Sequence, residues 1–583
     1  MKIKQSIQLL GAKLRAHAIA KLYDKRHAAA QRTQGVPALQ AISSKASSSE
    51  NLAKKPLNVL MIVADQLRHW EDLPQNVPLP AHEWLKSRGV AMSNFHVNTT
   101  PCSPSRSNIY FGQHTTHTKM VANYGAPPFP EIPKDMPSLG DYFRAQGYYT
   151  AYKGKWHLSD LDARYDLTYG KYPNSIDALE HFGFSEYNFD GDPHGSTWTG
   201  YKFDQQIASE AIHWLNHKPA KLEGKPWLMA VNFVNPHDIM YFAASEAQVA
   251  SKRGRDFLAP SAPEPADELY QAQWNTPLPD TFKTEDLSKK PWAHGAYRDF
   301  CTMAFGAMPY SDEAAWQRYI NYYLNCIRDV DRQMLAVLET LERTGQLDNT
   351  MIVFTADHGE MAGAHGLRQK GPFIYRENTR VPMVVVHPDL KAHAGTSVTG
   401  LGAAVDLIPT LLSMAISHVQ GSDVQAAYPA LKGENLLPAL RGEATKRDER
   451  GILFNYNVRH YTDPSYVAAL IDSGSSAGAR MVLEVGQRTG RWVPDVRKPG
   501  FFHGIHAGRY KFARYFSPMV TERPASWEAL TDGRFELELY DLQLDPNELR
   551  NLAHPDTRDF HRATIENLNE KLNELIAVET LSA

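Results

Sequence analysis

Cysteine is nearly missing from this chain: 583 residues contain only Cys102, Cys301 and Cys326. Three thiols cannot build a disulfide framework, and they fit a reducing compartment. A charge excess of either sign is missing too. The formal net charge of −3 leaves no electrostatic footprint for a nucleic-acid partner. No apolar run near the N-terminus is long enough to span a membrane. Lys13 and Arg15 interrupt any signal-peptide core, so the cytoplasm is the expected compartment. No fixed-period repeat occurs, which argues against a solenoid.

Acids are scarce at the N-terminus, where residues 1–55 hold only Asp24 and Glu50 among many Lys and Arg. Ile3, Ile7, Leu10 and Leu14 fall on one helical face. Such a basic amphipathic helix can touch an anionic membrane surface. The simpler expectation is an extension that packs on the protein or stays mobile. The Ser-rich "AISSKASSSENLAKK" has linker composition.

What is present is organised beyond that linker. "LNVLMIVAD" (57–65) is an unbroken apolar run ending in an acid, and "NTMIVFTADHG" (349–359) repeats the form. "WLMAVNFVNPH" (227–237) and "VPMVVVHP" (381–388) are similar. Runs of this kind suit strands buried on both faces, as in a parallel sheet. Between them lie helical patterns such as "YINYYLNCIRDVDRQMLAVLETLER" (319–343). The expected fold is α/β: a large mixed, mostly parallel sheet sandwiched by helices. The short aromatic strands "HAGRYKFARYF" (506–516) and "ELELYDL" (536–542) predict a smaller C-terminal antiparallel sheet, followed by a helix near 556–578. The chain therefore divides into an extension (1–55), a main domain (56–445) and a C-terminal subdomain (446–583). Residues 240–311, rich in Pro, Ala and charge, form an insertion.

In open α/β sheets, ligands bind beyond the carboxyl ends of the strands. Asp65, His237 and the pair Asp357–His358 stand at such ends. Two acids, the Gln66 amide and the His358 imidazole suit a divalent cation such as Ca²⁺, Mg²⁺ or Mn²⁺. Arg106, Lys155, His157, His237 and Lys370 are left to hold an anion. A metal with fixed cations is what a charged sulfuryl or phosphoryl group requires. Taken singly, each has an ordinary alternative. Asp65 can cap a turn, His358 can be a core histidine, and "CSPSR" can start a helix.

Taken together, "CSPSR", "GKWHL", "TADHG", "KGPFIYRENTRVP", "DLIPTLL" and "ELYDLQLDPNELRNLA" occur in order across residues 56–550. In this the chain resembles the type I sulfatases of the alkaline-phosphatase superfamily. The resemblance implies that Cys102 does not act as a thiol. A maturation enzyme that reads Cys102, Pro104 and Arg106 in the unfolded chain would oxidise it to Cα-formylglycine. One hydroxyl of the hydrated aldehyde attacks sulfur and expels the alcohol; the other loses a proton, and C–O cleavage then releases sulfate.

The same resemblance assigns Asp65, Gln66, Asp357, His358 and the modified Cys102 to the metal, and Arg106 to steadying the hydrate. Lys155 and Lys370 would hold sulfate oxygens. His157 would assist breakdown of the hemiacetal, and His237 would protonate the leaving oxygen. The pairs Asp65–Gln66 and Asp357–His358 resemble the choline-sulfatase and phosphonate monoester hydrolase branches, where many family members have Asp-Asp and Asp-Asn. The nitrogen ligand pulls from calcium toward transition metals, and the expected cation is Ca²⁺ first and Mn²⁺ second. The expected reaction is hydrolysis of a sulfate monoester, with a phosphonate monoester or phosphodiester as alternative and a non-catalytic binding protein as a remote one. His114, His117, Asp192 and His194 are weaker candidates. Arg380 is expected to pin the Lys370 loop, and Cys301 and Cys326 are structural. Trp274, Trp292 and Tyr297 either line a substrate subsite or pack the insertion.

Overall fold

A computed structural model describes residues 39–42, 55–126, 130–161, 178–252, 259–283, 286–416, 421–458 and 495–580, with a few isolated positions between them. The basic N-terminal segment 1–38 and most of the Ser-rich linker lie outside the described residues.

Seven strands form the main sheet. They are β1 (Asn58–Asp65), β2 (Val90–His96), β3 (Tyr149–Gly154), β4 (Trp227–Pro236), β5 (Thr350–Ala356), β6 (Met383–Val386) and β7 (Thr396–Ala403). Their spatial order is β3-β4-β1-β5-β6-β2-β7. The most apolar runs take the centre: β1, β4 and β5 are buried along almost their whole length, as strands covered on both faces must be. Met61 pairs with Ala230 on one side and Val353 on the other, in parallel register. The sheet departs from the sequence pattern at β6, which runs antiparallel to both β5 and β2. Its "MVVV" is as apolar as its parallel neighbours, so composition carries no sign of direction. β2, β3 and β7, with polar residues among their apolar ones, gave no clear run in the sequence.

The parallel arrangement places four strand tips on one edge: Asp65 ends β1, Lys155 follows β3, His237 follows β4 and Asp357 follows β5. A register shift between Val63 and Asp65 brings Asp65 opposite Pro236, one residue before His237. Helix α1 (Cys102–Phe111) follows β2 and is buried throughout. Pro104 is tolerated in its first turn, where an N–H would have no intrahelical partner. Gly112 ends it with φ 63°, the left-handed cap that favours glycine. Helix α2 (Thr199–His217) and the 31-residue helix α4 (Glu313–Arg343) pack on β4. In α4, Asp312 caps the first turn, and Trp316, Tyr319, Tyr323, Ile327, Val330 and Met334 form the buried stripe. Within the insertion, α3 (Trp292–Phe305) lies against the Lys370 loop: the Tyr297 hydroxyl donates to the Lys370 carbonyl at 2.9 Å.

A second sheet of four antiparallel strands holds β8 (Ile452–Tyr456), β9 (Phe501–Ala507), β10 (Tyr510–Phe516) and β11 (Phe535–Asp541). The last helix, α5 (Arg562–Thr580), buries Ile565, Leu568, Leu572 and Leu575 against Leu453, Ile505, Phe512 and Leu539. The opposite face of this sheet packs Phe502, Tyr515 and Tyr540 against Phe373, Ile374 and Tyr375. The small sheet is thus a rigid backing for the loop that carries Lys370. Lys511 donates to the Ile374 carbonyl at 2.9 Å, and the Tyr515 hydroxyl donates to the Pro372 carbonyl at 2.9 Å. Arg447 ties α5 to the main domain by pairing with both Asp406 and Glu579. Among the described residues, no helix is long and apolar enough to cross a membrane.

Candidate active site

At the shared edge of the strands, one ligand atom from each of Asp65, Cys102, Asp357 and His358 falls within 4.8 Å of the other three. All four side chains are buried. His358 Nε2 lies 3.2 Å from Cys102 Sγ, 3.5 Å from Asp65 Oδ1 and 3.6 Å from Asp357 Oδ1. Its other ring nitrogen, Nδ1, faces the Gly359 carbonyl at 2.9 Å. That contact places the ring proton on Nδ1 and turns the Nε2 lone pair toward the two carboxylates, as in histidines that ligate metals. Burial holds the imidazole below its ordinary pKa, so it is neutral. A neutral lone pair and two carboxylates converging on one point form a set of acceptors that suits a divalent cation.

The charges of the two acids differ for physical reasons. Burial pushes Asp65 up, but Lys155, His237, Lys370 and His358 together hold its carboxyl well below the usual range. Burial and the Asp65 charge push Asp357 up to about 7. Two carboxylates this close resist sharing full charge unless a cation joins them. Backbone geometry sharpens the site: Gln66 has φ 70°, and its N–H donates to Asp357 Oδ1 at 3.1 Å. Non-glycine residues in that region are costly and cluster at functional sites.

Four further groups ring the cluster. Lys155 pairs with Asp65, and Lys370 donates to the Gln66 amide oxygen. His157 also has a left-handed backbone, φ 60°. Asp192 holds that turn, accepting the N–H of Trp156 at 3.0 Å and of His157 at 2.6 Å. The His194 ring stacks on His157, with centroids 5.1 Å apart. Next in the chain, Gly195 presses on His237, and a Cβ there would lie 2.5 Å from the imidazole. The stretch 192–195 therefore contacts both histidines that flank the cluster. Burial, with Lys155 acting on His157 and Lys370 on His237, holds both imidazoles well below the ordinary histidine pKa. Each keeps a buried Nδ1 without a hydrogen-bond partner.

Arg106 lies beside the cluster and reaches the strand tips around it. Its guanidinium donates to the Trp156 carbonyl at 2.9 Å, the Tyr152 hydroxyl at 2.8 Å, Asn232 Oδ1 at 2.7 Å and the Lys155 carbonyl. Nη1 lies 3.5 Å from Asp357 Oδ2. These contacts pin α1 to β3 and β4. The weaker candidates separate. Asp192 and His194 belong to the site, whereas His114 pairs with Glu579 at 2.7 Å in the link to α5. Arg380 pairs with Glu71 at 3.0 Å and Asp72 at 2.8 Å, fixing the loop after β5 to the one after β1. Trp274 Nε1 donates to Asn325 on α4 at 2.9 Å, a packing contact. Cys301 and Cys326 are free and buried, and burial pushes Cys301 up to about 12. Glu360 and Asn232 were not singled out in the sequence. Glu360 directly follows the quoted "TADHG", so its nearness to Asp357 was the available signal.

Buried acids, a thiol, lysines and histidines converge on the carboxyl edge of a mostly parallel sheet, a setting suited to hydrolysis of a charged tetrahedral ester. The sequence model of the sulfatase family matches residues 57–417, and the chain belongs to that family: it is a sulfuric ester hydrolase. A Delta 4,5-hexuronate-2-O-sulfatase of Bacteroides thetaiotaomicron is 26% identical over 490 residues, covering 82% of this chain and 80% of that protein. A choline-sulfatase of Rhizobium meliloti is 24% identical, over 66% of this chain and 72% of that one. Among solved structures, a 2-O GAG sulfatase has a TM-score of 0.60 at 22% identity, covering 91% of this chain and 94% of the other. The phosphonate monoester hydrolase of Silicibacter pomeroyi has a TM-score of 0.61 at 21% identity, covering 90% and 97%. At those identities the structural likeness speaks for the fold.

Proposed function

We propose that this protein hydrolyses a sulfate monoester to an alcohol and inorganic sulfate, with Cys102 oxidised to formylglycine as nucleophile. The observation that carries the reading is the convergence of Asp65, Cys102, Asp357 and His358 within 4.8 Å at the strand edge. Asp65, Asp357 and His358, with the Gln66 amide oxygen and the modified Cys102, would hold one divalent cation, Ca²⁺ first and Mn²⁺ second. That cation would supply positive charge beside the ester anion. Formylglycine would divide one difficult displacement into two easier ones.

The chain's own groups do the rest. Cys102 opens α1, where the helix dipole favours an anion. Lys155 and Lys370, both buried, neutralise the ester's charge in a dry pocket where such contacts are strong. Binding of the ester anion adds negative charge beside His237, raising its proton affinity so that it can protonate the departing alkoxide. His157 removes the proton whose loss frees sulfate. A positioned histidine is worth about 10²–10⁴ in rate. Maturation requires an enzyme that reads Cys102, Pro104 and Arg106 before folding, since all three are buried in the folded protein.

A second reading keeps the same residues and changes the ester. Neutral Gln66 and His358 leave the cluster with two carboxylates. A phosphonate monoester or phosphodiester, also a tetrahedral monoanion, would suit it as well. Turnover of 4-nitrophenyl sulfate against a phenylphosphonate ester, with aldehyde-bearing protein, separates the two. A higher kcat/KM for the sulfate is expected; a large preference for the phosphonate ester overturns the first reading.

A further inference from the structure

Gln66 carries a choice that its own shape does not make. An amide presents an oxygen on one side and an NH₂ on the other, and only its partners decide which faces where. Here Nε2 donates to Glu360 Oε2 and stands 3.5 Å from Gln369 Oε1. Oε1 accepts from Lys370. Glu360 is fully buried, and its second oxygen is held from three directions. Glu360 Oε1 accepts the N–H of Gln369 at 2.7 Å, the N–H of Ala362 at 2.9 Å and the Tyr319 hydroxyl at 3.3 Å. A carboxylate so fixed offers Gln66 only an acceptor. The amide must therefore turn its NH₂ to Glu360 and its oxygen away, toward Lys370. Gln66 directly follows Asp65, and its own N–H donates to Asp357 Oδ1 at 3.1 Å, so the side chain starts at the edge of the cluster.

We propose that Glu360 is a positioning residue that locks the Gln66 amide with its oxygen toward the cation site, converting a neutral side chain of ambiguous orientation into a defined metal ligand. The inference rests on the divalent-cation reading given above. It also accounts for an acid at position 360 that no step of the chemistry uses. Replacing Glu360 by an amide removes the acceptor-only surface, so the Gln66 amide can turn over and point NH₂ at the cation. Exchanging the two groups, with an acid at 66 and an amide at 360, restores an acceptor toward the cation and a donor behind it.

The test is a double-mutant cycle on the full chain: parent, Glu360→Gln, Gln66→Glu and the double variant. Mn²⁺ affinity is read by electron paramagnetic resonance titration of metal-stripped protein, with near-ultraviolet circular dichroism reporting the fold. Glu360→Gln is expected to weaken Mn²⁺ binding about 10–100-fold, the usual effect of losing a partner behind a metal ligand. The double variant is expected to regain most of that loss. Unchanged affinity in Glu360→Gln, or strictly additive single effects in a folded double variant, overturns the proposal. Should Glu360→Gln alone fail to fold, the double variant decides: a folded, Mn²⁺-binding protein supports the lock, and anything else overturns it. A parent protein that binds no Mn²⁺ and no Ca²⁺ instead overturns the cation reading, and this inference with it.

Discussion

Gly195→Ala adds one methyl group in front of His237. The glycine sits at φ 125°, and its added Cβ would lie 2.5 Å from Cε1, 2.6 Å from Nδ1 and 3.3 Å from Nε2 of the imidazole. Ordinary contact begins near 3.4 Å. The ring, or the loop, must therefore retreat by about 1 Å, a misplacement that can cost about 10²-fold in rate. The ceiling is the whole value of a proton-transferring histidine, about 10²–10⁴. The loss should depend on the leaving group. An alkoxide needs its proton in the transition state; 4-nitrophenolate barely does. Steady-state kcat for 4-nitrophenyl sulfate and for an alkyl sulfate, in the parent and in Gly195→Ala, measures the difference. The account expects a loss of about 10² for the alkyl ester and a clearly smaller one for the nitrophenyl ester. Equal losses for both, in a variant that keeps its fold, would refute His237 as the proton donor.

Three outcomes follow from other parts of the molecule. Asp357→Ala should eliminate turnover and lower bound metal measured by mass spectrometry, because a ligand and its charge vanish together. Undiminished activity would show the site misplaced. Chelation should lower the Tm of the parent and added Ca²⁺ or Mn²⁺ restore it, since a ligand that binds only the folded state stabilises it. The acid limb of stability should report Glu579. Burial pushes this carboxyl up, but Arg447 and His114 bring it down from 4.5 to about 2. Its folded pKa is depressed, so its contribution is complete above pH 4.5 and fades as pH falls toward about 2. That contribution is on the order of 3 kcal/mol. Glu579→Gln should flatten the pH dependence of urea unfolding across that window, and an unchanged slope would remove Glu579 as its source.

Much of this architecture is written in local patterns. β1, β4 and β5 are unbroken apolar runs closed by functional residues, so both the strands and the edge that bears Asp65, His237 and Asp357 were legible. The direction of β6 was not, because "MVVV" suits either orientation. Strands β2, β3 and β7 were obscured by residues such as Ser93, Asn94, Lys153 and Thr399, whose partners are remote in sequence. Roles decided by hydrogen-bond partners were equally hidden. Nothing in "CSPSR" tells that Arg106 reaches the carbonyls of Lys155 and Trp156. Nothing beside "TADHG" tells that Glu360 meets an amide 294 residues away. Pattern shows which residues lie at strand tips; only packing shows which way a guanidinium or an amide faces.

The central claim is that position 102 bears an aldehyde that performs the reaction. Mass analysis of the peptide containing Cys102, from protein coexpressed with a formylglycine-generating enzyme, tests it most directly when paired with the turnover of the same sample. The account predicts conversion of the thiol to the aldehyde, activity in proportion to the converted fraction, and none in Cys102→Ala. Full turnover from protein whose Cys102 remains an unmodified thiol would contradict it.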